Sequence, residues 1–245
     1  MSHNQSVTGR VHSVETFGAL DGPGIRYVVF LQGCPLRCLY CHNPDALCFT
    51  DGTEKTAEKV VEEILRYRSF IQSGGVTLSG GEPLAQPEFS LEILRRCRMA
   101  GLHVAVDTSG GVELEACRPV IEEADLLLLD IKALDDVLCR KLTGRSNAGA
   151  LRILDERERL QKPVWIRHVL VPGYTLKEPL LVELADFLTS YACVERVELL
   201  PFHKMGEYKW EQLGRPYLLT DTPAPSPEQV ATAKKIFTDR GLPLH

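Results

Sequence analysis

Six short apolar stretches recur along this chain, each running into a polar or glycine-rich cluster and then into a helical pattern. Residues 25–31 lead to Gly33-Cys34, 76–78 to Ser79-Gly80-Gly81-Glu82-Pro83, and 102–106 to Asp107-Thr108-Ser109-Gly110. Residues 126–129 lead to Asp130-Ile131-Lys132, 164–171 (carrying Arg167) to Pro172-Gly173, and 194–200 to Pro201-Phe202-His203. Their length and their β-branched and leucine content read as buried strands. Between them lie helical stripes. Thr56 caps one with Val60, Val61, Ile64, Leu65 and Ile71 on its apolar face, and Pro87 opens another with Phe89, Ile93, Leu94 and Cys97. Further helices are read over 113–123, 135–142, 150–160 and from Pro179, and Ser226-Pro227-Glu228-Gln229 has capping-box spacing.

Strands alternating with helices demand a parallel sheet with right-handed crossovers. The expected class is α/β, as a single-domain partial (β/α)6 TIM-like barrel spanning 1–245, with its core over 25–203. Residues 1–24 read as an N-terminal extension and loop, closed by the turn Asp21-Gly22-Pro23-Gly24, and 204–245 as a C-terminal loop and helix. The stretch 205–225, with Trp210 but weak periodicity, reads as an ordered surface loop. In such barrels the outgoing strand ends build the active site, which is where the polar clusters fall.

A net charge of -5 without long runs of one sign makes nucleic acid and anionic membrane poor partners. The start MSHNQSVTGR has no apolar signal region and no apolar run is long enough to span a bilayer, so a cytoplasmic, monomeric protein is expected. Eight cysteines without a secretory signal suit reduced thiols and a metal site better than a disulfide scaffold.

Three of those cysteines crowd into residues 33–45, G-C-P-L-R-C-L-Y-C-H-N-P-D, as a C-x3-C-x2-C array of Cys34, Cys38 and Cys41. Three thiolates are one ligand short of a closed tetrahedral site, which suits a four-iron cluster with one open iron. A zinc site completed by His42 or a distant cysteine is the competing reading, making the chain a zinc-binding or electron-transfer module. Zinc motifs, however, tend to show paired C-x2-C units, and no second pair is present.

The array, with Tyr40 just before its last cysteine, resembles the signature of radical S-adenosylmethionine enzymes. The blocks D-G-P-G-I-R (21–26), S-G-G-E (79–82), D-T-S-G (107–110), D-I-K (130–132), W-I-R-H-V-L-V-P-G (165–173) and E-L-L-P-F-H (198–203) extend the likeness along the whole chain. Together they resemble the glycyl-radical-enzyme activases. An inserted ferredoxin-like cysteine segment found in other activases is lacking, which points to the type that acts on pyruvate formate-lyase; Cys97, Cys117, Cys139 and Cys193 read as buried thiols, with Cys48 the only cysteine near the array.

The resemblance implies that Cys34, Cys38 and Cys41 ligate a [4Fe-4S] cluster. It places Tyr40, Cys41, His42, Gly81, Asp130, Ile131, Lys132 and His203 around S-adenosylmethionine. It suggests a monovalent cation at Asp107, Thr108 and Asp130, and contacts from Asp21 and Arg167 to the target peptide. The implied activity is reductive cleavage of S-adenosylmethionine and formation of a glycyl radical on pyruvate formate-lyase, with a flavodoxin- or ferredoxin-like electron donor. Another glycyl-radical enzyme or a small molecule is the alternative substrate. Read without the family, Tyr40 equally serves packing, the aspartates capping or ion pairing with Lys132 or Arg167, and the Asp21 segment an ordinary turn.

Overall fold

A computed structural model of the protein describes residues 6–244. Packing divides the chain into two compact units. One contains the residues up to Pro35 with Ala46–Thr108 and Val112–Leu128; the other contains Leu36–Asp45, Ser109–Gly111 and the chain from Leu129 onward.

The first unit is built on β1 (Thr8–Gly18), β2 (Arg26–Leu31), β3 (Thr53–Thr56), β4 (Gly75–Gly80), β5 (Val104–Thr108) and the start of β6 (Leu126–Asp130), interleaved with α1 (Ala57–Leu65), α2 (Arg68–Ile71), α3 (Pro87–Met99) and α4 (Leu114–Glu123). Its strands are ordered β3-β1-β2-β4-β5-β6. β4 lies parallel to β2, from Arg26 opposite Gly75 to Leu31 opposite Gly80, and β5 lies parallel to β4, with Leu78 opposite Val106. Chain direction and pairing match the predicted α/β alternation.

β1 and β3 are the departure from expectation, since residues 1–24 read as an extension and loop. Both are antiparallel: β1 pairs with β2 and with β3. β1 leaves most of its side chains partly or fully exposed, and β3 is the polar tetrapeptide T-E-K-T. Strands at a sheet margin carry charge and lack a continuous apolar run, so they give no periodic signal. Residues 1–5 of the predicted extension lie outside the described residues. β5 also runs two residues past the expected stretch, taking in Asp107 and Thr108.

The helices form where the apolar stripes lie. Thr56 Oγ1 accepts the Lys59 N–H at 3.2 Å and caps α1, whose Ala57, Val60, Val61 and Ile64 are buried. The stripe to Ile71 is split, with α2 following α1 after Tyr67, whose ring packs 5.4 Å from that of Tyr27 on β2. That contact marks the helix-facing side of β2. Alternation then puts Arg26 on the other face, the one carrying Thr77 and Ser79 of β4.

The second unit holds the end of β6, then α5 (Asp136–Thr143), α6 (Ala148–Arg159), β7 (Val164–Leu170), α7 (Glu178–Leu188), β8 (Val194–Pro201), α8 (Glu207–Gln212) and α9 (Pro227–Thr238), with β8 parallel to β7. Ser226 and Gln229 close the expected capping box: the Gln229 N–H donates to Ser226 Oγ at 3.2 Å and Ser226 N–H to Gln229 Oε1 at 2.8 Å. The predicted loop over 205–225 is corrected by α8. That helix has only six residues and buries none of them, so no apolar period announces it.

His168, on β7, is 3% exposed, and its Nδ1–H donates to the Ile131 carbonyl at 2.7 Å. Burial lowers its pKa below the ordinary 6.5; Ile131 and Asp130 oppose the shift and Lys132 adds to it. His103 on the first unit is lowered too, by burial and then by Arg26. An unfolded chain protonates these rings as pH drops through about 6.5 while the folded chain does not, so it binds more protons and stability falls with acid, by up to about 1.4 kcal/mol per pH unit for each ring. Urea unfolding at about pH 7 and pH 5.5 should show this loss, and His168→Gln should make the slope shallower. An identical slope in the variant would remove His168 from the cause.

Candidate cofactor and radical site

In the first unit the site begins where β2 runs out. Gly33 takes a φ of 93°, a left-handed conformation that glycine adopts freely. Its N–H donates to the Ala46 carbonyl at 2.8 Å, and the Cys34 N–H to the Leu47 carbonyl at 3.3 Å, so the two feet of the cysteine loop are tied together. Gln86 ties them further to β1, donating through Nε2 to the Arg10 and Gln32 carbonyls at 2.9 Å each.

The S-G-G-E block packs directly on this base. Gly81 N–H donates to Leu31 O at 2.8 Å and Glu82 N–H to Gly33 O at 2.9 Å. A Cβ on Gly81 would stand 2.4 Å from Gly33 O and 2.8 Å from Ala46 O. The backbone approach that suggested a ligand-facing glycine is thus already made by protein. Glu82, fully buried, accepts from Leu84 N–H at 3.1 Å and from Thr108 Oγ1 at 2.6 Å, and Asp107 accepts from Ser79 Oγ at 2.8 Å. The two first-unit residues expected at a cation therefore join Ser79 and Glu82 at the ends of β4 and β5.

The second unit holds the rest of the loop. Arg37 N–H donates to Thr143 O at 2.7 Å and Leu39 N–H to Leu142 O at 2.9 Å, fastening the loop to the end of α5. The Cys41 N–H donates back to Cys38 O at 3.1 Å. Tyr40 is 5% exposed in an apolar cluster with Leu142, Val171, Phe202 and Tyr217, yet its Oη is buried without a hydrogen-bond partner. Lys132 Nζ lies 5.9 Å from the centre of that ring and 2.7 Å from an Asp130 oxygen. Burial alone would lower the Lys132 pKa; Asp130 and then Tyr40 and Cys38 outweigh it and hold it well above its usual value. Burial pushes the Cys41 thiol up, against the Asn43 backbone hydrogen bond and the charges of Lys132 and Lys209.

His42 stacks on His203, ring centres 4.1 Å apart and 15° from parallel, and its Nε2–H donates to the His203 carbonyl at 3.1 Å. Ile131 is buried, its N–H bonded to Arg167 O at 3.0 Å. Arg167 pairs with Glu198 across the β7–β8 ladder at 2.9 Å. Sequence reasoning missed the clamp supplied by α8 and its approach. Trp210 Nε1–H donates to Cys41 O at 2.9 Å, Lys209 bridges Asn43 at 2.9 Å and Asp45 at 3.1 Å, and a Cβ on Gly206 would stand 2.7 Å from His42 Cα. A lone tryptophan in a polar stretch was the available signal.

None of the eight cysteines is joined in a disulfide, and Cys97, Cys117, Cys139 and Cys193 are buried as expected. Burial pushes Cys97, Cys117 and Cys193 up to about 12, which leaves them inert. Among the described residues no group of three His, Cys, Asp or Glu could hold a metal ion between them. Thiolates on a four-iron cluster each bind a different iron and so stand further apart than ligands sharing one ion.

The family model described as the Radical SAM superfamily matches residues 28–185. The chain belongs to the radical SAM superfamily. Within the superfamily it falls among the pyruvate formate-lyase-activating enzymes: the one from Listeria monocytogenes is 44% identical over 239 residues, covering 94% of this chain and 96% of that protein. The Staphylococcus aureus enzyme of the same name is 43% identical over 242 residues, covering 95% and 96%. A solved domain of the activating enzyme from Bacteroides vulgatus superposes with a TM-score of 0.59 at 32% identity, covering 70% of this chain and 98% of that domain. SuiB of Streptococcus suis, solved with its precursor peptide, shares the fold alone, at TM-score 0.69 and 18% identity over 92% of this chain and 49% of SuiB.

Radical SAM enzymes use a [4Fe-4S] cluster and S-adenosylmethionine, and so does this one. Its residues fit them: three thiols in one short loop outside any disulfide, two lysines lowering the Cys41 thiol against burial, and a buried Tyr40 hydroxyl still wanting a partner. Gly81→Ala should push on the base of this loop, costing about 1–3 kcal/mol in thermal unfolding and lowering iron uptake. Unchanged stability with full iron content would show that the Gly81–Gly33 contact is dispensable.

Proposed function

We propose that this chain activates pyruvate formate-lyase by making a radical on one of its backbone glycines. The reading is carried by relatives of that name matching 94% and 95% of the chain, together with a complete three-cysteine loop. Cys34, Cys38 and Cys41 hold the cluster. With one electron from a flavodoxin- or ferredoxin-type donor, the cluster would supply the reductive cleavage of S-adenosylmethionine that removes a hydrogen atom from the glycine Cα, giving methionine, 5′-deoxyadenosine and the glycyl radical.

The chain's own residues bind and orient. The stacked rings of His42 and His203 offer a flat face for a purine ring, and Tyr40 Oη a hydrogen bond. Lys132, kept cationic by Asp130, attracts the methionine carboxylate. Asp21 accepts N–H groups of the target peptide and Arg167, set by Glu198, bonds its carbonyls. The Asp21 loop precedes β2 and the cysteine loop follows it, so an extended peptide of about six residues, rising about 3.3 Å each, spans the strand between them.

Anaerobic incubation with reductant, S-adenosylmethionine and a panel of glycyl-radical enzymes tests the proposal. A glycyl-type paramagnetic signal should arise on pyruvate formate-lyase, and Asp21→Ala should weaken its formation about tenfold, the worth of a hydrogen bond to a charged group. A signal only on a different enzyme would reassign the substrate. A parallel fall in cofactor cleavage without partner would remove the peptide role from Asp21.

A further inference from the structure

Arg26 is fully buried, and nothing in the chemistry above uses it. Its guanidinium is saturated by backbone and one hydroxyl. Nε donates to Thr77 Oγ1 at 2.5 Å; Nη1 to the carbonyls of Pro23 at 3.1 Å and Gly74 at 2.9 Å; Nη2 to that of Val76, with His103 Nδ1 3.2 Å away. Thr77 Oγ1 in turn donates to the Asp21 carbonyl at 2.6 Å. Two of the four carbonyls in loop 21–24 are thus held by one buried pair.

The loop's glycines are closely packed, Gly22 on Arg26 itself and Gly24 on the backbone of Gly74, whose carbonyl Arg26 also holds. A Cβ on Gly22 would lie 3.0 Å from Arg26 Cδ, and one on Gly24, whose φ is 69°, would lie 2.8 Å from Gly74 Cα. Burial brings the Arg26 pKa down to about 10, with Asp21 and Asp125 opposing, so the group stays charged at neutral pH. A buried charge is a costly way to fill a strand position that an apolar side chain fills at least as well. What an apolar residue cannot do is hold loop carbonyls.

The geometry points to Arg26 and Thr77 as positioning residues that set loop 21–24 in the shape that receives the partner's glycine-bearing peptide. This rests on the peptide role given to the loop above. A loop with two glycines loses much conformational entropy when it is ordered by binding; fixing it beforehand removes that cost from the association.

Thr77→Val keeps the β-branch and the volume and removes only the hydroxyl. Hydrogen exchange in the full chain without partner should show the Gly22, Gly24 and Ile25 amides exchanging about fivefold faster while α3 is unchanged, and the half-saturating concentration of pyruvate formate-lyase should rise about fivefold with the maximal rate held within about twofold, the worth of one buried hydrogen bond. Arg26→Lys, which keeps the charge and loses the fork, should move both readouts the same way and serves if the valine variant does not fold. Unaltered loop exchange, or faster exchange spread through α3, would overturn the assignment. So would a fall in maximal rate at unchanged half-saturation. Asp21→Ala separates the two readings: if it leaves half-saturation at the wild-type value, the loop does not meet the peptide, and exchange alone still decides whether Arg26 and Thr77 set its shape.

Discussion

The backbone contact of Gly81 with the carbonyls of Gly33 and Ala46 is the constraint on which the first unit's part of the site depends. It closes the base of the cysteine loop at the ends of β2 and β4, where no side chain has room. Parallel strands leave their terminal carbonyls and amides without ladder partners, and here those groups satisfy one another: Gly81 and Glu82 donate to Leu31 and Gly33, and Gly33 and Cys34 donate to Ala46 and Leu47. A loop fixed at its feet by main-chain bonds keeps its place while its thiols remain available for chemistry.

The buried charges follow one rule in both units. Arg26, Glu82, Lys132 and Arg167 are each removed from solvent, and each has a specified partner: loop and strand carbonyls, Thr108 and Leu84, Asp130, and Glu198 respectively. Such groups contribute little net stability compared with apolar replacements, but they hold neighbours in one geometry. Tyr40 Oη and Tyr217 Oη, in one apolar cluster of the second unit, are by contrast both buried without a hydrogen-bond partner. A buried hydroxyl left unmade costs about 1–3 kcal/mol, a cost that a bound cofactor relieves.

What was legible in the sequence was whatever repeats or concentrates. The six apolar strands and their helices read correctly because burial on both faces demands unbroken runs, as in L-L-L-L-D of β6. The cysteine array stood out because three thiols within eight residues are rarely accidental. β1, β3 and α8 did not, since a marginal strand and a six-residue exposed helix leave no period. Pairings were the other blind spot. The choice of Glu198 by Arg167, of Ser79 by Asp107, and of the Cys41 carbonyl by Trp210 joins residues 28 to 169 positions apart, and composition carries no trace of it.

The central claim is that Cys34, Cys38 and Cys41 carry a four-iron cluster with one iron left for S-adenosylmethionine. Metal analysis and electron paramagnetic resonance of the anaerobically purified, reduced chain test it most directly. About four irons per chain are expected, with a cluster signal that shifts when S-adenosylmethionine is added. One tightly bound zinc without iron, or a cluster signal indifferent to S-adenosylmethionine, would contradict it.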